Sequence, residues 1–192
     1  MKAIKIKILE YLLDNKDDNN VAVIARNIKT NYSNTYLNIK KMSEIFIKKI
    51  GNNNSIFLKN KLTPDLFLAE NNRTSSFLES EDIRNIHRKI NKIDSSFFIA
   101  LLFGSRLKNK NHKDLDLCII VDDEYTKTRI EQELDTLSYN IDLNIFTSNE
   151  FKQMIELKNP NLGNEILKKN IILKGIENYY DLIKWTAFTK EK

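Results

Sequence analysis

Cysteine occurs only once in the 192 residues, at Cys118, inside an apolar run. An intrachain disulfide is thereby excluded, and a reducing compartment is the expected setting. Proline and glycine are scarce as well, with two and four copies, so long regular elements joined by short turns are expected. No apolar stretch approaches the roughly 20 residues that cross a bilayer, and no membrane partner is expected. The opening Met1-Lys2-Ala3-Ile4-Lys5 alternates charge with apolar side chains and lacks a signal-peptide core. Together these features predict a cytoplasmic protein. Alanine is sparse while asparagine, lysine and isoleucine abound, a bias that fits an AT-rich genome better than a functional demand.

What is present argues for a folded chain. Hydrophobic residues make up 41 % and charged residues 30 %, a balance that supports a packed core rather than disorder. The length suits one ordinary domain or two small ones. A formal charge of +5 is compatible with nucleic acid or nucleotide phosphates, although charge sets encounter rates more than identity.

The first third predicts three helices and a hairpin. Ile4, Ile8, Leu9 and Leu12 follow helical spacing over residues 4–13, and residues 21–28 form a short second helix. A turn at residues 30–33 offers Ser33 or Asn34 as an N-cap for a third helix over 35–46, with Leu37, Ile39, Met42 and Ile45 or Phe46 on its apolar face. Two strand-like stretches in 47–61 flank Gly51-Asn52-Asn53-Asn54. Three helices and a hairpin form the winged helix-turn-helix plan, in which the third helix enters the major groove. Its candidate nucleic-acid contacts are Ser33, Asn34, Tyr36, Asn38, Lys40 and Lys41, with Lys48 and Lys49 near the wing. The same plan also serves as a protein-interaction module. Thr63-Pro64 then opens a helix over 66–69, residues 71–76 read as a polar break, and 79–93 as a charged amphipathic helix. His87 on that helix has no nearby Cys or His and reads as a satisfied or surface histidine.

The chemistry is expected in the second half. Residues 97–103, Phe-Phe-Ile-Ala-Leu-Leu-Phe, form a buried strand that ends at Gly104-Ser105. A strand delivering Gly-Ser into a helix start makes an anion site: glycine permits close approach, the hydroxyl donates, and the helix N-terminus offers free N–H groups. After eight intervening residues come Asp114-Leu115-Asp116-Leu117, then Cys118-Ile119-Ile120-Val121. Positions i and i+2 share a strand face, so the two carboxylates project together while the leucines turn to the core. Paired carboxylates repel unless a cation lies between them, and oxygen donors suit Mg²⁺ or Mn²⁺ bound with a nucleotide triphosphate. A helix over 124–137 and a strand over 140–146 place Asp142 on a neighbouring strand. A third carboxylate there supports a two-metal, in-line displacement. With 26 acidic residues, Asp-x-Asp alone is a weak signal. The ordered set of strand, Gly-Ser, basic loop, Asp-x-Asp, strand, helix and Asp142 strand is far more specific. A Walker-type loop, a paired-Cys metal motif and a Ser/His/Asp hydrolase set are all missing, and those reaction classes drop out.

These motifs resemble the DNA polymerase beta superfamily, in particular the minimal nucleotidyltransferases of archaea and bacteria. The resemblance rests on Leu-Leu-Phe-Gly104-Ser105 with Asp114-Leu-Asp116-Leu-Cys-Ile-Ile, and on Ile141-Asp142-Leu-Asn-Ile-Phe-Thr-Ser-Asn-Glu-Phe. The tail Glu165-Ile-Leu-Lys-Lys-Asn-Ile-Ile-Leu-Lys-Gly175 extends the similarity to roughly residues 80–184. The N-terminal part is similar, more loosely, to the winged helix fused to such domains in some archaeal proteins. The implied fold is α+β: a winged helix-turn-helix domain (1–62), a helical connector (63–93) and a nucleotidyltransferase domain (94–192) with a mixed sheet flanked by helices. The implied reaction moves a nucleoside monophosphate from a nucleotide triphosphate, with ATP expected, to a hydroxyl of RNA or protein. In it Gly104 and Ser105, with Arg106 and Lys113, hold the triphosphate. Asp114, Asp116 and Asp142 hold two Mg²⁺ or Mn²⁺ ions, with Asp142 activating the acceptor. Such domains also act in toxin–antitoxin pairs, which makes a partner protein or a tRNA an expected target. The chain departs from the family pattern in its shorter loop, in Asn109 where a glycine is usual, and in Lys113 where a small polar residue precedes the first aspartate. An alternative reading is a DNA-binding regulator whose transferase domain senses nucleotide without turnover.

Overall fold

The computed structural model describes residues 3–16, 19–51, 53–109, 112–157 and 159–184. Its chain divides into two compact units, with the division between Asn72 and Arg73.

The first unit begins with α1 (Ile4–Asp14), whose Ile8, Leu9 and Leu12 are fully buried. Next comes α2 (Val21–Asn27), capped by the Asn20 side chain, and then α3 (Tyr32–Lys41). The third helix starts and ends earlier than its periodicity predicts. Asn31, rather than Ser33 or Asn34, is its N-cap and accepts a bond from the Asn34 N–H at 2.8 Å. Its inward face is Thr35 and Ile39, while Leu37 is exposed. Ile45 and Phe46, expected on that helix, open strand β1 (Ile45–Ile50), which pairs antiparallel with β2 (Asn53–Leu58) from Ile45↔Leu58 to Ile50↔Asn53. A run rich in β-branched isoleucine, offered a partner strand, follows the ladder rather than the helical period.

The polar stretch 71–76 does not break the chain, because α4 is continuous over Pro64–Phe77. Two of its polar side chains have buried acceptors: Arg73 donates to the Asn170 carbonyl at 2.8 Å and Thr74 to the Ile172 carbonyl at 2.7 Å. Such a helix reads as a break only when its hydrogen-bond acceptors are unseen.

In the second unit four strands lie in the order β5-β4-β3-β6. They are β3 (Ile99–Phe103), β4 (Leu115–Ile120), β5 (Ile141–Phe146) and β6 (Ile171–Lys174). Strand β3 is antiparallel to both β4 and β6, whereas β4 and β5 run parallel. The parallel pair needs a crossover, and α6 (Glu124–Asp135) supplies it. Ile83, Ile86 and Ile90 of α5 (Glu81–Asn91) join Ile130 and Leu134 of α6 in a core against Ala100, Leu102, Leu115, Leu117 and Ile119. Helices α7 (Ser148–Glu156), α8 (Leu162–Lys168) and α9 (Ile176–Ile183) bury Phe151, Ile166 and Tyr179. The result is a mixed sheet flanked by helices, and no described helix is long and apolar enough to cross a membrane.

Two contacts in these units have measurable consequences. Lys5 Nζ lies 2.9 Å from Glu44 Oε1, which also accepts from Thr63 Oγ1 at 2.9 Å. Burial by itself would raise the Glu44 pKa, but bonds from Lys5, its own backbone and Thr63 outweigh it and hold the carboxyl below its usual 4.5. A carboxylate with a depressed folded pKa stabilises the fold above its unfolded value and loses that contribution as pH falls through the folded one. Glu44→Gln is therefore expected to cost about 1–3 kcal/mol at pH 7 and to flatten the loss of stability below about pH 4.5, read from thermal melts across pH. The second contact is Gly175, with φ +82° and a position where a Cβ would sit 1.9 Å from the Phe98 carbonyl oxygen. Gly175→Ala combines left-handed strain with a backbone clash and should destabilise the chain by about 2–4 kcal/mol in urea unfolding.

Candidate active site

Strand β3 delivers Phe103 in extended geometry, and the chain turns at Gly104 with φ +73°. The cause lies on the next strand. Phe103 is in register with Asp116, whose carboxylate rests against the glycine: a Cβ on residue 104 would stand 2.0 Å from Asp116 Oδ2. The Ser105 N–H donates to that same Oδ2 at 3.3 Å. Residues Gly104–Leu107 form one 3₁₀ turn, so the expected helix start is a four-residue turn.

On its other side Asp116 is in register with Asp142 of β5. Residues in register share a face, so these carboxylates are neighbours across a parallel pair. Asp114, two positions earlier, projects to the same side just ahead of β4. Its Oδ1 accepts from Asn140 Nδ2 at 2.5 Å, and Asp142 Oδ1 accepts from Asn144 Nδ2 at 3.4 Å. Because β5 is an edge strand, Asp142 is exposed, whereas Asp114 and Asp116 are half-buried.

This donor set fits a small divalent cation in part. Carboxylate oxygens on one face, with Asp116 pressed into the cradle left by Gly104, have the right chemistry for Mg²⁺ or Mn²⁺. Among the described residues no group of three or more His, Cys, Asp or Glu side chains is gathered as a metal cage. Magnesium is ordinarily held by one or two carboxylates with phosphate oxygens and water, so the set suits an ion arriving with a nucleotide.

One expected phosphate ligand, Arg106, has bonding partners within the fold. Arg106 is buried, with its guanidinium bonded to Asp82 Oδ2 at 2.6 Å, Ser80 Oγ at 2.9 Å and the His112 carbonyl. It braces the loop against the start of α5, its desolvated charge paired with the Asp82 carboxylate. Lys113 is exposed. Asn109, where the family usually has a glycine, does not use a glycine's left-handed freedom, since Lys29 is the only non-glycine residue with positive φ among those described.

His112 was not singled out from the sequence. Its Nδ1 lies 3.0 Å from Ser105 Oγ, 3.3 Å from the Asp114 backbone nitrogen and 3.8 Å from Asp114 Oδ2. A hydrolase relay needs serine and acid on opposite ring nitrogens; here Ser105 lies on Nδ1 and the Asp114 carboxylate, on that same side at 3.8 Å, is beyond hydrogen-bond reach. The available signal was the histidine two positions before Asp114, but its partner Ser105 lies seven residues back and only the folded loop closes that gap. His87 is satisfied, with Nε2 2.9 Å from Asn91 Nδ2, and burial with the nearby Lys174 charge lowers its pKa against an opposing backbone bond at Leu173.

In the first unit, Ser33, Asn34, Lys40 and Lys41 are exposed along α3, as are Lys48 and Lys49 on β1. Tyr36 stacks on Tyr32 with centroids 6.1 Å apart and carries Lys40 Nζ 4.7 Å above its ring. Tyr179 and Tyr180 are buried packing residues, and Trp185 lies outside the described residues.

A family model described as "Polymerase beta, Nucleotidyltransferase" matches residues 81–179. No curated protein and no solved structure matches the chain. The matched stretch takes in α5, all four strands of the mixed sheet and the Gly104–Asp116 contact, and covers just over half of the 192 residues. The chain belongs to the polymerase beta nucleotidyltransferase family.

Proposed function

We propose that the protein transfers a nucleoside monophosphate from a nucleotide triphosphate, ATP by expectation, to a hydroxyl of RNA or of a protein, with a divalent cation bound at Asp114 and Asp116. The observation that carries this reading is the register Phe103–Asp116–Asp142, which sets the Gly104 turn and two carboxylates side by side on one sheet face. A bound Mg²⁺ or Mn²⁺ would supply charge neutralisation at the triphosphate. The chain's own groups do the rest. Gly104, whose bare Cα makes room for the Asp116 carboxylate, turns the main chain toward the triphosphate, with Ser105 beside it and Lys113 as the exposed basic group nearby. Asp142, exposed on the edge strand, takes the proton from the attacking hydroxyl at an Oδ. The hydroxyl oxygen then bonds to the α-phosphorus, and the bond to the pyrophosphate oxygen breaks.

The order of three helices and an antiparallel hairpin in the first unit supports a winged helix-turn-helix, with Ser33, Asn34, Tyr36, Lys40 and Lys41 offered to nucleic acid. A second reading, a DNA-binding regulator that senses nucleotide without turnover, draws on one observation: the three carboxylates are not gathered as a cage among the described residues.

Incubation of the full chain with labelled nucleotide triphosphates, Mg²⁺ or Mn²⁺, and RNA or protein acceptors separates the two. Label transfer is expected, falling more than about 100-fold in Asp114→Ala and Asp116→Ala, beyond the 10–100-fold that loss of an outer-shell partner brings. Gly104→Ala should fall alongside them, since its Cβ would displace the Asp116 carboxylate. Absence of transfer with every acceptor, together with salt-dependent binding to duplex DNA, would favour the regulator.

A further inference from the structure

The loop from Ser105 to Asp114 is bridged by an imidazole. His112 Nδ1 lies 3.0 Å from Ser105 Oγ and 3.3 Å from the Asp114 backbone nitrogen. A backbone amide can only donate, so Nδ1 is the acceptor and the ring proton resides on Nε2. The serine hydroxyl, facing the same lone pair, donates to it as well, which fixes the hydroxyl rotor. The main chain of His112 is held from the other side by the buried Arg106, itself anchored on Ser80 and Asp82. Ring and carbonyl are thus fixed by different partners.

We propose that His112 is a positioning residue for nucleotide binding. Through Nδ1 it ties Ser105 to Asp114, so that the spacing between the Gly104–Ser105 turn and Asp114 is set before the nucleotide arrives. The serine proton is committed to His112 rather than to a phosphate. This role rests on the nucleotidyltransferase reading above. The physical gain is preorganisation: Ser105 and Asp114, already tied through one ring nitrogen, lose less freedom on binding. The effect therefore falls on nucleotide affinity and KM, and much less on kcat, because the ring need not touch the reacting atoms.

Two substitutions separate the ring nitrogens. Asparagine carries Oδ1 one bond beyond Cγ, where histidine carries Nδ1, and can accept from Ser105 and the Asp114 amide. Glutamine carries its amide one bond further, at the place of Nε2, and cannot. ATP binding in the presence of Mg²⁺ is measured by calorimetry on the full chain, with steady-state label transfer and thermal melts alongside. His112→Gln is expected to raise Kd and KM about 10–100-fold with kcat within about 3-fold, while His112→Asn stays within about 3-fold of the parent throughout. Parental affinity in both variants would overturn the role. Rescue by Gln and not by Asn would overturn it too, because the function would then lie at Nε2. A parent chain that binds no nucleotide triphosphate at all would instead defeat the nucleotidyltransferase reading, and this role with it.

Discussion

The Asp116 carboxylate, pressed against the bare Cα of Gly104, is the contact on which the rest of the site depends. It requires glycine twice over, for the positive φ and for the 2.0 Å that a Cβ would leave. It also links three strands at one level, since Asp116 is in register with Phe103 on one side and Asp142 on the other. The turn at residues 104–107 can leave β3 only in the direction this contact permits. The apolar sheet beneath, from Leu101 to Ile119, is what holds the register, because slippage by one residue would turn every core side chain outward.

Charge is distributed to keep that face negative. Each acidic side chain has a neutral donor as partner: Asn140 for Asp114, the Ser105 N–H for Asp116 and Asn144 for Asp142. Neutral donors ease the repulsion between carboxylates without cancelling their charge. Arg106, the cation closest in sequence to the Gly-Ser turn, is instead paired with Asp82. Lys174 shows the same diversion elsewhere, donating to the Ile90 and Ile93 carbonyls at the end of α5. Burial lowers its pKa against the opposing charge of Asp94. Both residues support the scaffold that carries the acidic face.

Much of this was legible in the sequence because it depends on local alternation. The Asp114-Leu115-Asp116 spacing announces a shared face, and the apolar runs at 99–103 and 115–120 announce buried strands. The neighbouring position of the Asp142 strand followed from a helix between two strands. What escaped depends on contacts distant in sequence. Asn31 took the capping role from Ser33 and Asn34 because its side chain reaches the Asn34 N–H. The polar stretch 71–76 is helical because Arg73 and Thr74 find acceptors near β6. The bond from Arg106 to Asp82, 24 positions away, is likewise invisible to local pattern. His112 acquires meaning only when its loop brings Ser105 back to it.

Titration of Mn²⁺ into the full chain, followed by electron paramagnetic resonance with and without a non-hydrolysable nucleotide triphosphate, tests the central claim most directly. A carboxylate face without a gathered cage should bind the ion weakly alone and more tightly with the nucleotide, and Asp116→Asn should abolish that gain. Tight Mn²⁺ binding without nucleotide, or a nucleotide-dependent gain that survives in Asp116→Asn, would contradict the account.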